Sequence, residues 1–248
     1  MRNSLRAYHS SVETARSTGS ICAGLGIVSS LNTVLAATRT GSIHRPSTVA
    51  LPSILDAAHS FAGQAIRSGD LVIDATVGNG HDTLFLLREV GAEGRVVGFD
   101  IQADALDATR QRVQRQAPEQ AERLRLVHDG HEAMTAHLGE QAAGTVGAIM
   151  FNLGYLPGGD HAITTNPETT RSALSQGLDL LRPGGVMTIV AYSGHPGGEE
   201  EAQAVESWAA SLPQDPYRAL SYRFVNQRND PPRLFAVEKR DSSRNGDT

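Results

Sequence analysis

The sequence predicts an α/β domain: a Rossmann-like, doubly wound sheet of about seven strands, mostly parallel, with an antiparallel hairpin at its C-terminal end. Three observations carry this expectation. Short runs rich in Val, Ile and Leu alternate with longer amphipathic stretches over residues 51–238, and strands alternating with helices imply a parallel sheet covered on both faces. The first such run, Leu71-Val72-Ile73-Asp74, enters a glycine turn directly before a helical segment, the place where open α/β sheets bind ligands. The last two runs, 217–225 and 234–238, have no helical segment between them, so they should pair antiparallel at the sheet's edge.

Residues 1–46 stand apart from this pattern. They carry Arg2, Arg6, Arg16, Arg39 and Arg45 against one acid, Glu13, with many Ser and Thr and no clear periodicity. Such a segment is expected to be poorly ordered. An acid-poor, Arg- and Ser-rich leader has the composition of an organelle transit peptide, and a start codon placed too far upstream would look the same. The domain itself is expected over 47–240, with a flexible tail over 241–248.

Within the domain, residues 51–67 read as an amphipathic helix and 71–74 as a buried strand. A helix over 81–90 follows the glycine turn. Strand 95–100, helix 103–115 and strand 124–128 repeat the unit, and a short helix over 132–138 leads to strand 146–152. Asn166-Pro167 opens a helix over 167–181 that stops at Arg182-Pro183-Gly184-Gly185, a strong helix terminator. Strand 186–192, helix 199–210 and the two final strands complete the chain.

Composition bounds the function. With 248 residues, 40% of them apolar, the chain suits one globular domain with a sizeable core. Its longest nearly apolar run, 21–37, is interrupted by Ser29, Ser30 and Asn32 and is too short and glycine-rich to span a bilayer. The single cysteine, Cys22, excludes an internal disulfide and any cysteine cluster. A net charge of −5 and a pI of about 6.0 mean that contact with nucleic acid would need a local basic patch. Residues 214–240 offer one, with Arg218, Arg223, Arg228, Arg233, Lys239 and Arg240 against Asp215, Asp230 and Glu238. A solvated edge hairpin has the same composition.

The glycine turn reads Asp74-Ala75-Thr76-Val77-Gly78-Asn79-Gly80-His81-Asp82-Thr83. A dinucleotide enzyme favours a third glycine where Thr83 stands. An acid four residues before Gly78 is the methyltransferase form, and a carboxylate there suits the charged amino-acid end of S-adenosylmethionine. Asp100, with Ile101 and Gln102, closes the second strand where an acid accepts from ribose hydroxyls. Asp129, in His128-Asp129-Gly130-His131, could hold the adenine amine or cap the following helix. No metal is expected, because His128 and His131 lack a third ligand. One cysteine also leaves no cluster for radical methylation.

At the fourth strand stands Phe151-Asn152-Leu153-Gly154-Tyr155-Leu156-Pro157-Gly158-Gly159-Asp160, followed by His161 and Thr164-Thr165-Asn166-Pro167-Glu168-Thr169-Thr170; Tyr192-Ser193-Gly194-His195-Pro196-Gly197-Gly198 comes later. Together with the glycine turn, these segments resemble the bacterial YtqB-like family of rRNA-methylase-like proteins, over residues 51–239 and not over the leader. That family is associated with the final methylation of 5-aminomethyl-2-thiouridine at the tRNA wobble position. The resemblance implies an S-adenosylmethionine-dependent tRNA methyltransferase that binds the anticodon loop, acts in the cytoplasm, or in an organelle if the leader directs import, and is compatible with a homodimer.

Asn152 occupies the place of the Asp or Asn in the D/N-P-P-Y loop of amino-methyltransferases, where it accepts from the nucleophilic nitrogen while Tyr155 stacks on the base. Leu153-Gly154 replaces the two prolines, a departure suggesting that a planar ring amine need not be the target. An alkylamine with a pKa of about 10 is neutral in only about one molecule per thousand at pH 7, a cost of about 4 kcal/mol. Asp160, His161 and His195 are the candidates to help deprotonate it. Asn229-Asp230-Pro231-Pro232 reads as a turn or as a loop that grips substrate. Methylation of rRNA or of a small molecule, and a non-catalytic binding module, are the alternatives on the same fold.

Overall fold

The computed structural model describes residues 51–156, 158, 164–228 and 230–241. The expected leader over 1–46, the candidates Asp160 and His161, and residues 242–248 lie outside them.

Pro52 and Ser53 start the first helix. The Ser53 hydroxyl accepts from the Asp56 amide at 3.1 Å, a side-chain N-cap, so α1 runs Ile54–Ala65 rather than from Leu51. Then come β1 (Leu71–Asp74), α2 (His81–Glu89), β2 (Arg95–Asp100), α3 (Ala103–Gln116), β3 (Leu124–His128), α4 (Met134–Leu138), β4 (Val146–Leu153), α5 (Pro167–Leu180), β5 (Leu181–Ala191), α6 (Gly198–Ser211), β6 (Tyr217–Tyr222) and β7 (Arg233–Lys239). Asn166 caps α5 by accepting from the Glu168 and Thr169 amides.

The strands form one sheet in the order β3-β2-β1-β4-β5-β7-β6. Strands β1 to β5 are parallel, and β7 runs antiparallel to both β5 and β6. The C-terminal hairpin is therefore present, with its second strand inserted next to β5 and its first at the edge.

Alternation along the strands splits the core in two. Val72, Val96, Ala148 and Met150 pack under α1 and α2, together with Ile54, Ala58, Leu86 and Leu87. Ile73, Val97, Phe99, Ile149 and Phe151 face the other side, with Met134, Leu174 and Val205.

One boundary differs in kind from the expectation. Arg182-Pro183-Gly184-Gly185 is not a loop after the helix: α5 ends at Leu180 and β5 starts at Leu181. Leu181 pairs with Val146 and Val186 with Ala148, so the four residues between them bulge out of the strand. Arg182 fastens this bulge. Its guanidinium lies 2.7 Å from Asp70 and donates to the Ala65 carbonyl at 2.7 Å.

Candidate active site

The strand order reverses between β1 and β4, and a cleft of about 700 Å³ opens at their carboxyl ends, within the size range of cofactor sites. Thr76, Gly78, Asn79, His81 and Asp82 line one side, Asp100, Ile101 and Gln102 a second, and Asp129, Gly130 and His131 a third. Asn152, Tyr155 and His195 stand opposite. Most of the predicted site residues thus converge on one cavity.

Asp74, Gly80 and Thr83, expected among the cofactor ligands, do not belong to that lining. Asp74 is fully buried. It accepts from the Thr83 hydroxyl at 2.5 Å and from the Thr76 amide at 3.3 Å, bracing the turn from behind. Burial, reinforced by the neighbouring Asp82 carboxylate, pushes its pKa up to about 7. Gly80 is the N-cap of α2, at φ 75°. A Cβ there would lie 2.5 Å from the Thr109 hydroxyl oxygen, so only glycine fits both backbone and space.

Two residues of α3 that sequence reasoning missed strap the turn in place. Thr109 donates to the Gly78 carbonyl at 3.0 Å, and Arg112 donates to the Asn79 carbonyl at 2.5 Å. They lie one helical turn apart on a helix whose charges read as an ordinary solvated face, which is why pattern alone passes over them.

Asp100 accepts the Gly78 amide on one carboxylate oxygen at 2.8 Å and the Gln102 amide on the other at 2.9 Å. Each oxygen keeps a lone pair for a ribose hydroxyl. Asp129 does not cap the helix that follows. It accepts the Gly130 amide at 2.8 Å and meets His137 Nε2 at 2.8 Å, and the His137 bond followed by the amide holds its pKa below the usual range. His131 is buried edge-on to Phe151. Desolvation lowers its pKa, favouring the neutral ring, and its Nε2 has no partner. A largely buried, neutral ring in the lining of the cleft, beside carboxylates at the ends of β2 and β3, fits an adenosyl group. His128 turns elsewhere, to the Ile101 carbonyl at 2.9 Å, and no three His, Cys, Asp or Glu side chains group as a metal site among the described residues.

On the substrate side, the Asn152 amide donates to the Thr76 hydroxyl at 2.7 Å, which joins the ends of β4 and β1. Its side-chain Nδ2 donates to Asp82, whose other oxygen lies 2.7 Å from His59 Nε2. Asn152 Oδ1 is buried without a partner. Tyr155 meets His195 edge-on at 5.7 Å; His195 Nδ1 lies 3.1 Å from the Pro196 carbonyl, and its Nε2 is buried and unpartnered. Glu201, buried on α6, accepts from Thr165 and Thr170, each at 2.6 Å, and so pins the end of the segment that follows Tyr155. His59 and Glu201 left no local signal in the sequence, because their partners are distant along the chain. Asp230 also lines the cleft, so the last hairpin's loop reaches the site. Its basic character is partly spent internally: Arg233 pairs with Glu199 at 2.7 Å, and Lys239 donates to the Leu178 carbonyl.

The fold and the cleft define a class I S-adenosylmethionine-dependent methyltransferase. Residues 96–238 match the family model described as "Putative rRNA methylase", and the chain belongs to that family. It is 38% identical over 190 residues, 74% of this chain and 69% of the relative, to the chloroplastic tRNA (mnm(5)s(2)U34)-methyltransferase of Arabidopsis thaliana. A crystal structure described in the same words as the family, from Clostridium thermocellum, superposes with TM-score 0.73 at 40% identity, covering 77% of this chain and all of that one. A methyltransferase of Streptococcus mutans in complex with SAH matches with TM-score 0.68 at 32% identity, covering 77% of this chain and 99% of that one. The ribosomal RNA small subunit methyltransferase H of Chromobacterium violaceum matches 45% of this chain, which spans 31% of that protein.

Proposed function

We propose that this enzyme methylates the exocyclic alkylamine of a 5-aminomethyluridine, with or without a 2-thio group, in the anticodon loop of tRNA. The observation that carries the reading is Asn152 Oδ1, a buried acceptor without a partner at the end of β4. An amine N–H is the donor it lacks, and a buried carbonyl oxygen left unsatisfied is costly. Tyr155, half-exposed beside it, offers a ring on which a base can stack. The A. thaliana relative, named for a wobble-uridine reaction, supports the same substrate class.

S-adenosylmethionine supplies the methyl group on an electrophilic sulfonium. Thr76, Gly78, Asn79 and His81 would hold its amino-acid end, Asp100, Ile101 and Gln102 its ribose, and Asp129, Gly130 and His131 its adenine; Asp82, expected among these ligands, has its two carboxylate oxygens engaged by His59 and Asn152 and is left out of that set. Asp74, Gly80 and Thr83 keep these groups in place from behind. Of the three candidates for deprotonating the amine, His195 is supported by its position in the lining of the cleft and by an Nε2 without a partner. Work on tRNA locates the enzyme in the cytoplasm, or in an organelle if residues 1–46 direct import.

The test is single-turnover transfer onto tRNA carrying 5-aminomethyl-2-thiouridine, beside unmodified transcript and rRNA fragments. Asn152→Ala should leave cofactor affinity nearly unchanged and cut turnover by about a hundredfold. The rate should rise with pH until the bound amine is deprotonated. Equal methylation of unmodified transcript, or product only on rRNA, would overturn the substrate assignment. The second outcome is the one that the family's rRNA description favours.

A further inference from the structure

We propose that His59 and Asp82 form a positioning pair that aims the Asn152 carboxamide at the acceptor nitrogen and places a negative charge behind it. The proposal rests on the reading of Asn152 given above. Asp82 sits in the first turn of α2, its side chain 9% exposed. Both of its oxygens are committed, one to His59 Nε2 at 2.7 Å and the other to the Asn152 side-chain amide.

That second bond decides which way Asn152 faces. A carboxylate only accepts, so the atom turned toward it must be the NH₂ group. Oδ1 is then directed away from Asp82, and it is the atom left without a partner. Asn152 shares its side of β4 with Ala148 and Met150, which pack under α1 and α2. Strand parity therefore points its side chain toward the two helices that carry His59 and Asp82.

His59 is itself held in one orientation. Its ring stacks on Phe85 of α2 with centroids 4.1 Å apart and planes 3° from parallel. The stack leaves Nε2 directed at Asp82 and closes a chain from α1 through α2 to β4. A buried carboxylate is expensive unless it is bonded, and here its two side-chain partners are a locked imidazole and the amide proposed to meet the substrate.

The charge has a use in the reaction. The amine lone pair forms a bond to the methyl carbon while the methyl–sulfur bond breaks and its electron pair stays on sulfur. The positive charge moves from sulfur to nitrogen, toward Asn152 and Asp82, and the proton is released afterwards to water. A fixed negative group on that side stabilises the transition state more than the ground state.

Three variants separate these contributions. His59→Phe keeps an aromatic ring on Phe85 but removes the donor. His59→Gln restores a donor near the same place. Asp82→Asn keeps hydrogen bonds on both sides but removes the charge. In single-turnover assays, His59→Phe and Asp82→Asn should each lower the rate about tenfold or more, with cofactor affinity within about twofold of the unaltered enzyme, while His59→Gln recovers most of the loss. In ¹⁵N spectra, the side-chain amide resonances of Asn152, assigned by their loss in Asn152→Ala, should be displaced in His59→Phe and restored in His59→Gln.

An unchanged rate in His59→Phe overturns the proposal, as does failure of His59→Gln to recover activity. So does a cofactor affinity that collapses in Asp82→Asn, which would make Asp82 a cofactor ligand. If the unaltered enzyme methylates only the rRNA fragment, the substrate reading fails and the same variants are scored on that RNA. If it methylates neither, the Asn152 resonances decide the pair alone.

Discussion

Asp74 and Asn152 show how much a single residue's chemistry depends on which side of a strand it occupies. The spacing to Gly78 marks Asp74 as a cofactor ligand, yet it shares the face of Val72, which α2 covers, and Thr83 on that helix receives it. Parity was readable in the sequence; the Thr83 hydroxyl waiting nine residues away was not, because it requires the turn's geometry. The energetic consequence is a carboxyl raised from 3.8 to about 7. The folded chain then holds a proton that the unfolded chain releases near pH 4, so this group favours folding below that pH and favours it progressively less as pH rises through about 7. Asp74→Asn keeps an acceptor for the Thr76 amide and a polar partner for Thr83 without a charge. Its melting temperature should therefore fall less than that of the unaltered chain between pH 5 and pH 8, as read by scanning calorimetry at several pH values. Parallel curves would show that Asp74 does not titrate in that window. Asn152 was legible as a polar side chain at the end of β4, whereas its bond to Asp82, and through Asp82 to His59, was not, since neither partner lies near it in sequence.

Elements were legible where apolar periodicity is sharp: β2 and β3 begin and end where the pattern places them. Long-range bonds decided the boundaries that pattern misplaced. Local chemistry makes Arg182-Pro183-Gly184-Gly185 a terminator, but pairing of Leu181 with Val146 extends the chain immediately after α5. Arg182, its side chain 10% exposed, then ties the bulge to Asp70 before β1 and to the end of α1. Removing one member of a buried ion pair leaves the other charged and unsolvated. Arg182→Ala should therefore lower unfolding free energy by about 3–5 kcal/mol in urea titrations. The double variant Asp70→Asn/Arg182→Met should recover most of this, because no buried charge is then stranded and the Arg67 amide, 2.7 Å from Asp70, keeps its acceptor. A double variant as unstable as the single one would mean that the guanidinium acts through the Ala65 carbonyl and not through the charge.

At the scale of the whole molecule, alternation of strands and helices predicted the sheet, and the glycine turn located the cleft at the reversal between β1 and β4. The hairpin was legible too, but not which of its strands lies inside. The sequence does carry that signal: Leu234-Phe235-Ala236-Val237 is a continuous apolar run, buried in β7, whereas Arg218-Ala219-Leu220-Ser221 in β6 is exposed. A strand between two others needs apolar residues on both faces; an edge strand does not. One further contact joins segments 170 residues apart in the chain. The Tyr222 hydroxyl at the end of β6 donates to the Pro52 carbonyl at 2.8 Å, just ahead of the Ser53 cap of α1. The start of the described chain is therefore bound to the last strand of the sheet, and a shortened protein must keep residues 52 and 53. A chain beginning at Thr48 preserves both contacts, all seven strands and every described residue of the cleft. It should fold, bind S-adenosylmethionine with unchanged affinity, and show the same rise in melting temperature when the cofactor is added. A chain beginning at Asp56 loses the cap and the Tyr222 contact, and it should be less stable by about 1–3 kcal/mol. If the Thr48 chain is insoluble, or the cofactor no longer raises its melting temperature, residues 1–46 are part of the folded domain.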